Sequence, residues 1–115
     1  MKHLFFLLAI ALVAGLSPTL LSAQNNHLEG QVTDSSGIGL PSASVVLLEK
    51  KDSLFVVFGL TDEAGRFTLK RIESGEYILQ ISYLGYKNHW QALKIEPEQG
   101  KIDLGKIVLE LSSLL

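Results

Sequence analysis

Short apolar runs separated by turn-forming residues repeat along the chain from residue 28 onward. Residues 28–33 alternate between apolar and polar positions, which is typical of a strand with one buried face. A second run covers residues 43–48, and a third, residues 54–60, is apolar on both faces. A run that is apolar on both faces predicts a strand near the centre of a sheet or between layers.

The second half of the chain continues this spacing. Residues 66–70 alternate cleanly, with Phe67 and Leu69 on one face. No window has a sustained helical period, and glycine and proline recur too often for a long helix. Seven short strands at this spacing predict an all-β antiparallel sandwich or small barrel. The last three predicted strands cover residues 77–83, 87–95 and 104–111.

The segments between these runs are rich in residues that stabilise turns. Asp and Ser side chains bond to their own backbone, and glycine accepts a positive φ without steric cost. Gly65, between Ala64 and Arg66, suits such a position. The predicted structural turn residues are Asp34, Gly37, Asp62, Gly65 and Gly75.

The first 23 residues have the pattern of a secretory signal peptide. A positive start at Met1-Lys2-His3 is followed by an uncharged apolar run over residues 4–16. Cleavage is predicted between Ala23 and Gln24. A retained transmembrane anchor is the alternative, but a spanning helix needs about 20 apolar residues and this run is shorter. We therefore expect the mature chain to be exported.

Composition narrows the class of protein further. The 115 residues include ten Lys plus Arg, twelve Asp plus Glu and no cysteine. The mature part is the size of one small domain. It has no basic stripe, so we expect no nucleic-acid partner. The absence of cysteine excludes both disulfides and a lipid anchor on cysteine, so stability must come from an apolar core.

No motif in the sequence predicts catalysis or a bound cofactor. The turn carboxylates at Asp34, Asp62 and Glu63 lack the EF-hand spacing, and turn capping is the simpler explanation. His27 and His89 lie in separate strands without zinc-ligand spacing. No Gly-x-Ser-x-Gly elbow and no phosphate-binding glycine loop occurs. We expect no catalytic, metal or cofactor-binding residue.

One aromatic group is a candidate for recognition. Tyr83, Tyr86 and Trp90 lie close together in sequence, and aromatic faces stack on sugars or on partner chains. The alternative is that Tyr83 belongs to the core and Trp90 covers a sheet edge. Of the three, Trp90 is the residue expected to be exposed.

Three segments resemble the carboxypeptidase regulatory-like domain. They are Gly30-Gln31-Val32-Thr33-Asp34 with its continuation to Val45, Thr61-Asp62-Glu63-Ala64-Gly65-Arg66-Phe67, and residues 75–86. The family usually has Gly-x-Pro-Leu after the first strand, whereas this chain has Gly39-Leu40-Pro41. The resemblance implies a transthyretin-like, seven-stranded antiparallel Greek-key sandwich over residues 24–111.

A signal peptide followed directly by this domain is similar to the N-terminal extension of TonB-dependent outer-membrane receptors. This resemblance implies a periplasmic accessory domain whose partners are the receptor's own plug and barrel or the periplasmic energising proteins. Membrane association would then depend on a C-terminal barrel that the sequence does not include. Residues 112–115 would be the start of a linker or a truncated end. The alternative function is a stand-alone exported carbohydrate-binding module, with Trp90 and Tyr86 as its platform.

Overall fold

The computed structural model describes residues 26–113, all of which lie in strands, turns and loops. The predicted signal peptide and its cleavage site fall outside these residues. Across residues 26–113 no helix is long and apolar enough to cross a membrane. The strands are β1 (Asn26–Thr33), β2 (Ser44–Glu49), β3 (Phe55–Leu60), β4 (Arg66–Ile72), β5 (Gly75–Ser82), β6 (His89–Ile95) and β7 (Lys101–Val108).

The strands form a two-layer sandwich. One sheet has the order β4-β1-β7 and the other the order β3-β2-β5-β6. This confirms the predicted seven-stranded sandwich. Neighbouring strands are antiparallel except β1 and β7, which run parallel. The chain reaches β7 by crossing from the other sheet, and such a crossover, unlike a hairpin, permits a parallel pair.

The core lies between the two sheets and follows the predicted alternation. Phe67 of β4 is 4% exposed, and its ring fills the space left by Gly30, its partner on β1. A Cβ atom at Gly30 would lie 2.7 Å from the Phe67 ring. The buried side chains that share this core are Leu28, Val32, Leu40, Ala43, Val45, Leu47, Phe67, Leu69, Ile72, Tyr77, Leu79, Ile81, Ile95, Ile107 and Leu109.

Buried polar groups join the core to the connecting loops. The hydroxyl of Tyr77 donates a hydrogen bond of 2.7 Å to the carbonyl of Glu73. Burial raises the pKa of Tyr77, and the nearby carboxylates of Glu73 and Glu49 raise it further. The amide side chain of Asn26 bonds to the loop between β6 and β7, accepting from the backbone N–H of Gly100 at 2.8 Å. These bonds keep the ends of the sandwich closed.

Two strand predictions are wrong in position. The run at residues 54–60 predicts a strand near the centre of a sheet or between layers, but β3 is an edge strand whose side chains are largely exposed. When both faces of a strand are apolar, the sequence shows that neither face is polar. It does not show whether another layer of the protein packs against each face. The last strand begins at Lys101, before the predicted start at residue 104. Beyond Val108 the regular strand pairing ends, and an isolated bridge joins Leu111 to Tyr86.

Candidate interaction surface

The outer face of the four-stranded sheet brings apolar side chains from all four strands together. Val46 of β2 pairs with Phe58 of β3 on one side and with Gln80 of β5 on the other. Gln80 in turn pairs with Trp90 of β6. Residues directly opposite each other in antiparallel strands project from the same face. These four residues therefore form one row across the sheet.

A second row runs parallel to the first. Phe55 pairs with Leu48, Leu48 with Ile78, and Ile78 with Ala92. Leu60 extends the face along β3, opposite Ser44. We call this surface the apolar face. It consists of Val46, Leu48, Phe55, Phe58, Leu60, Ile78, Trp90 and Ala92.

The largest side chains of the apolar face are also its most exposed. Phe55 is 61% exposed, Phe58 50%, Leu60 55% and Trp90 56%. Its charged neighbours Glu76 and Lys94 form a register pair at one end of the sheet. Scattered exposed apolar residues are normal, but a contiguous patch on a folded domain indicates a contact surface.

The outer face of the three-stranded sheet has the opposite character. The Oε2 atom of Glu29 in β1 lies 3.3 Å from the Nζ atom of Lys101, and its Oε1 atom lies 3.6 Å from the Nε2 atom of His27. Thr68 and Arg66 of β4 lie opposite the polar face of β1 and are exposed. Apart from the exposed Val108 of β7, this sheet is polar outside and apolar inside, as expected for a sheet with one solvated face. Of the two outer faces, the apolar face is therefore the candidate interaction surface.

The structure separates the three aromatic residues singled out from the sequence. Tyr83 and Tyr86 are partly buried and pack against the core. Their rings meet edge to face, with centroids 5.6 Å apart and planes inclined by 68°. Trp90, by contrast, projects from the outer face in the row containing Gln80. The tyrosines thus contact each other and the core, and Trp90 alone belongs to the apolar face.

The turn carboxylates are engaged within their own loops. Asp34 Oδ1 accepts hydrogen bonds from the backbone N–H groups of Ser36 and Ile38, at 2.9 and 3.0 Å. Asp62 Oδ1 accepts from Ala64 and Arg66, both at 2.9 Å. Within residues 26–113, no group of three or more His, Cys, Asp or Glu side chains could hold a metal ion.

Two of the glycines in these turns have a left-handed backbone conformation. Gly37 has a φ of 85° and Gly65 a φ of 80°. Gly75 begins β5, next to the ring of Tyr77. Together with the two aspartates, these residues shape the loops at the ends of the sheets.

Most of the apolar face was missed by reasoning from the sequence. The apolar run that contains Phe55, Phe58 and Leu60 predicts an interior strand, so the sequence indicates only Trp90 as an exposed recognition residue. The sequence did contain one indication of this surface. Two consecutive runs, residues 43–48 and 54–60, are apolar at most positions, so each strand has apolar side chains on both faces. Adjacent strands of this kind predict a sheet that is covered on both sides.

These residues define a small β-sandwich module with a closed core and one apolar outer face. The chain belongs to the carboxypeptidase regulatory-like domain family, whose model matches residues 27–110. The match confirms the resemblance seen in the three sequence segments. No curated protein sequence matches the chain significantly.

Solved structures share the fold at low sequence identity. The Bacillus anthracis TIE protein is 22% identical with a TM-score of 0.62, covering 74% of this chain and 16% of that one. BcpA, the major pilin subunit of Bacillus cereus, is 18% identical with a TM-score of 0.64, covering 77% and 31%. The 5-hydroxyisourate hydrolase of Klebsiella pneumoniae is 18% identical with a TM-score of 0.55, covering 78% and 95%. The chain therefore spans less than a third of the first two proteins, and these matches show the fold alone.

Proposed function

We propose that this chain is a non-catalytic interaction domain of an exported protein, namely the periplasmic N-terminal domain of a TonB-dependent outer-membrane receptor. The observation that carries the interaction role is the apolar face, which leaves four large side chains at least half exposed. Exposing such a patch to water is costly unless a partner covers it. The receptor context rests on the signal-peptide pattern of residues 1–23 followed directly by a domain of this family.

The surroundings of Trp90 favour a protein partner over a carbohydrate. A sugar-binding platform needs hydrogen-bonding groups beside its aromatic ring, because each hydroxyl that loses water must find a replacement. The row containing Trp90 supplies Gln80 and continues to Val46 and Phe58. Apolar and aromatic side chains of this kind are enriched at the centres of protein interfaces.

The export step gives a direct test of localisation. Replacing Ile10 with arginine puts a charge in the middle of the apolar run that a signal peptide requires. We expect the variant to accumulate as an uncleaved precursor inside the cell, while the unaltered chain is recovered in the periplasm beginning at Gln24. Cell fractionation and N-terminal sequencing measure both results. Equal processing of the two chains would show that residues 1–23 do not direct export.

The receptor context is tested by sequencing the gene beyond the codon for Leu115. We expect an open frame that continues into a plug domain and then into strands of alternating polarity. A stop codon, or a hydrolase domain in the same frame, would contradict the receptor proposal. Either of those results would favour a carbohydrate-binding module, which oligosaccharide titration of wild-type and Trp90→Ala protein would then examine.

A further inference from the structure

We infer that the apolar face binds the same face of a second copy of this chain, forming a twofold sheet-on-sheet dimer. The inference rests on the proposed role of this face as an interaction surface, but it does not depend on the receptor context. The most common soluble oligomers are twofold dimers in which one patch meets its own copy. Aligned packing of two sheet faces is also the usual way in which an apolar sheet surface is buried.

The area of the apolar face is sufficient for a dimer. Side chains as large as Trp and Phe have about 150–250 Å² to bury. From the exposed fractions of Phe55, Phe58, Leu60 and Trp90, together with its half-buried members, the face offers on the order of 600 Å² per copy. A specific interface needs about 1,000 Å² in total, or roughly 500 Å² from each partner. The apolar faces of two copies together therefore offer more area than a specific interface needs, even without the residues that surround them.

The charge distribution permits contact between identical faces. A surface that carries one sign of charge repels its own copy, whereas the eight residues of the apolar face are all uncharged. At its end, Glu76 and Lys94 carry opposite charges on directly paired positions. The whole chain has a formal net charge of only −2, so long-range repulsion between copies is weak. A strongly charged partner would find no complementary charge at the centre of this face.

Strand addition at the β3 edge of the sheet is a less suitable mode of contact than packing of the sheet face. The pairing of β2 with β3 shifts register between Leu47 and Leu48, so that Val57 lies opposite the first and Phe55 opposite the second. Val56 is therefore an extra residue that bulges from the edge strand. Bulges of this kind interrupt the regular hydrogen bonding that an added strand requires. The sheet face, in contrast, keeps a regular register between β2, β5 and β6.

The experiment compares oligomeric state among matched charge variants of the mature chain, residues 24–115. Residues 26–113 supply both sheets and the core, so the mature chain contains every strand and buried side chain of the sandwich. Phe58→Lys and Trp90→Lys place a charge on the apolar face. Thr68→Lys places the same charge on the exposed outer face of the other sheet and is the control. Sedimentation equilibrium over a wide concentration range gives the dimer dissociation constant of each protein.

We expect the wild-type and Thr68→Lys proteins to dimerise equally, and the two apolar-face variants to raise the dissociation constant by at least about 30-fold, as for hot-spot residues. Thermal unfolding of the diluted proteins checks that all four fold. A monomer at every concentration, or a Phe58→Lys dimer as tight as wild type, would overturn the inference. A monomer would leave the receptor proposal standing, whereas a stop codon after Leu115 would remove that proposal and leave the dimer untouched.

Discussion

Replacing Gly65 with alanine is expected to destabilise the domain by more than about 3 kcal/mol, from backbone strain plus overpacking. Gly65 has a φ of 80°, a conformation in which a Cβ atom is unfavourable. The added Cβ would also collide with the carbonyl oxygen of Val32 and lie 2.8 Å from the backbone nitrogen of Leu40. Because both contacts are with backbone, no side-chain rotation can relieve them.

The effect should be large because the Gly65 turn packs against a second loop. The turn connects β3 to β4, the loop connects β1 to β2, and each crosses from one sheet to the other. The backbone N–H of Val32 donates to the carbonyl of Gly65 at 2.7 Å, and that of Leu40 donates to the carbonyl of Val32 at 2.9 Å. At Gly39, an added Cβ would collide with the carbonyl of Ala64. The two loops therefore touch backbone to backbone, and a methyl group between them would separate them.

The matched control is Gly37→Ala. Gly37 also has a positive φ, 85°, but an added Cβ would meet no atom within 4 Å. Its substitution should cost only the conformational penalty of about 1–2 kcal/mol. Urea unfolding of the two variants measures the difference. Equal losses of stability would mean that the close approach of the loops does not contribute.

Much of the fold was predictable because one-sided burial leaves an alternating pattern in the sequence. In β4, Phe67 and Leu69 are buried while Thr68 and Lys70 are exposed. The turn residues were also predictable, since the bonds of Asp62 to its own loop span only two and four residues. Both signals are local, and each is complete within a few positions of the chain.

The place of β3 and the direction of β7 depend on non-local information. A strand with Phe58 on one face and Val57 on the other has the same pattern at a sheet centre and at a sheet edge. The two positions differ only in what packs against the strand. Similarly, nothing within residues 101–108 specifies that β7 runs parallel to β1, because its partner residues lie 74 to 75 positions earlier in the chain.

The apolar face is non-local for the same reason. Phe58 and Trp90 belong to one row, but they are 32 positions apart in sequence, and Val46 and Gln80 lie between them in space. The row exists only once the register of three strand pairs is set. The sequence therefore indicates Trp90 as a single exposed aromatic residue, and only the folded sheet brings the other apolar side chains next to it.

Replacing Phe67 with alanine is expected to leave the domain only marginally stable. Removing a buried phenylalanine side chain costs about 3–5 kcal/mol, and a mature chain of this size has only about 5–14 kcal/mol in total at ~0.05–0.15 kcal/mol per residue. Phe67 is 4% exposed, so nearly all of this cost should apply. The midpoint of thermal unfolding should fall by more than about 10 °C. Lys70→Ala, on the exposed face of the same strand, should leave it almost unchanged.

The contact between Phe67 and Gly30 permits a sharper test than the single variant. Alone, Gly30→Ala should destabilise the domain, because the new methyl group would lie 2.7 Å from the Phe67 ring. When Phe67 is already alanine, the same methyl group enters the vacated space and should cost less or even stabilise. The double-mutant cycle should therefore show a coupling within about 0.5–3 kcal/mol, the range for residues in contact. If the two losses of stability are strictly additive, the Phe67 ring does not pack over Gly30. The cost of Gly30→Ala can depend on residue 67 only if the new methyl group and the ring occupy the same space.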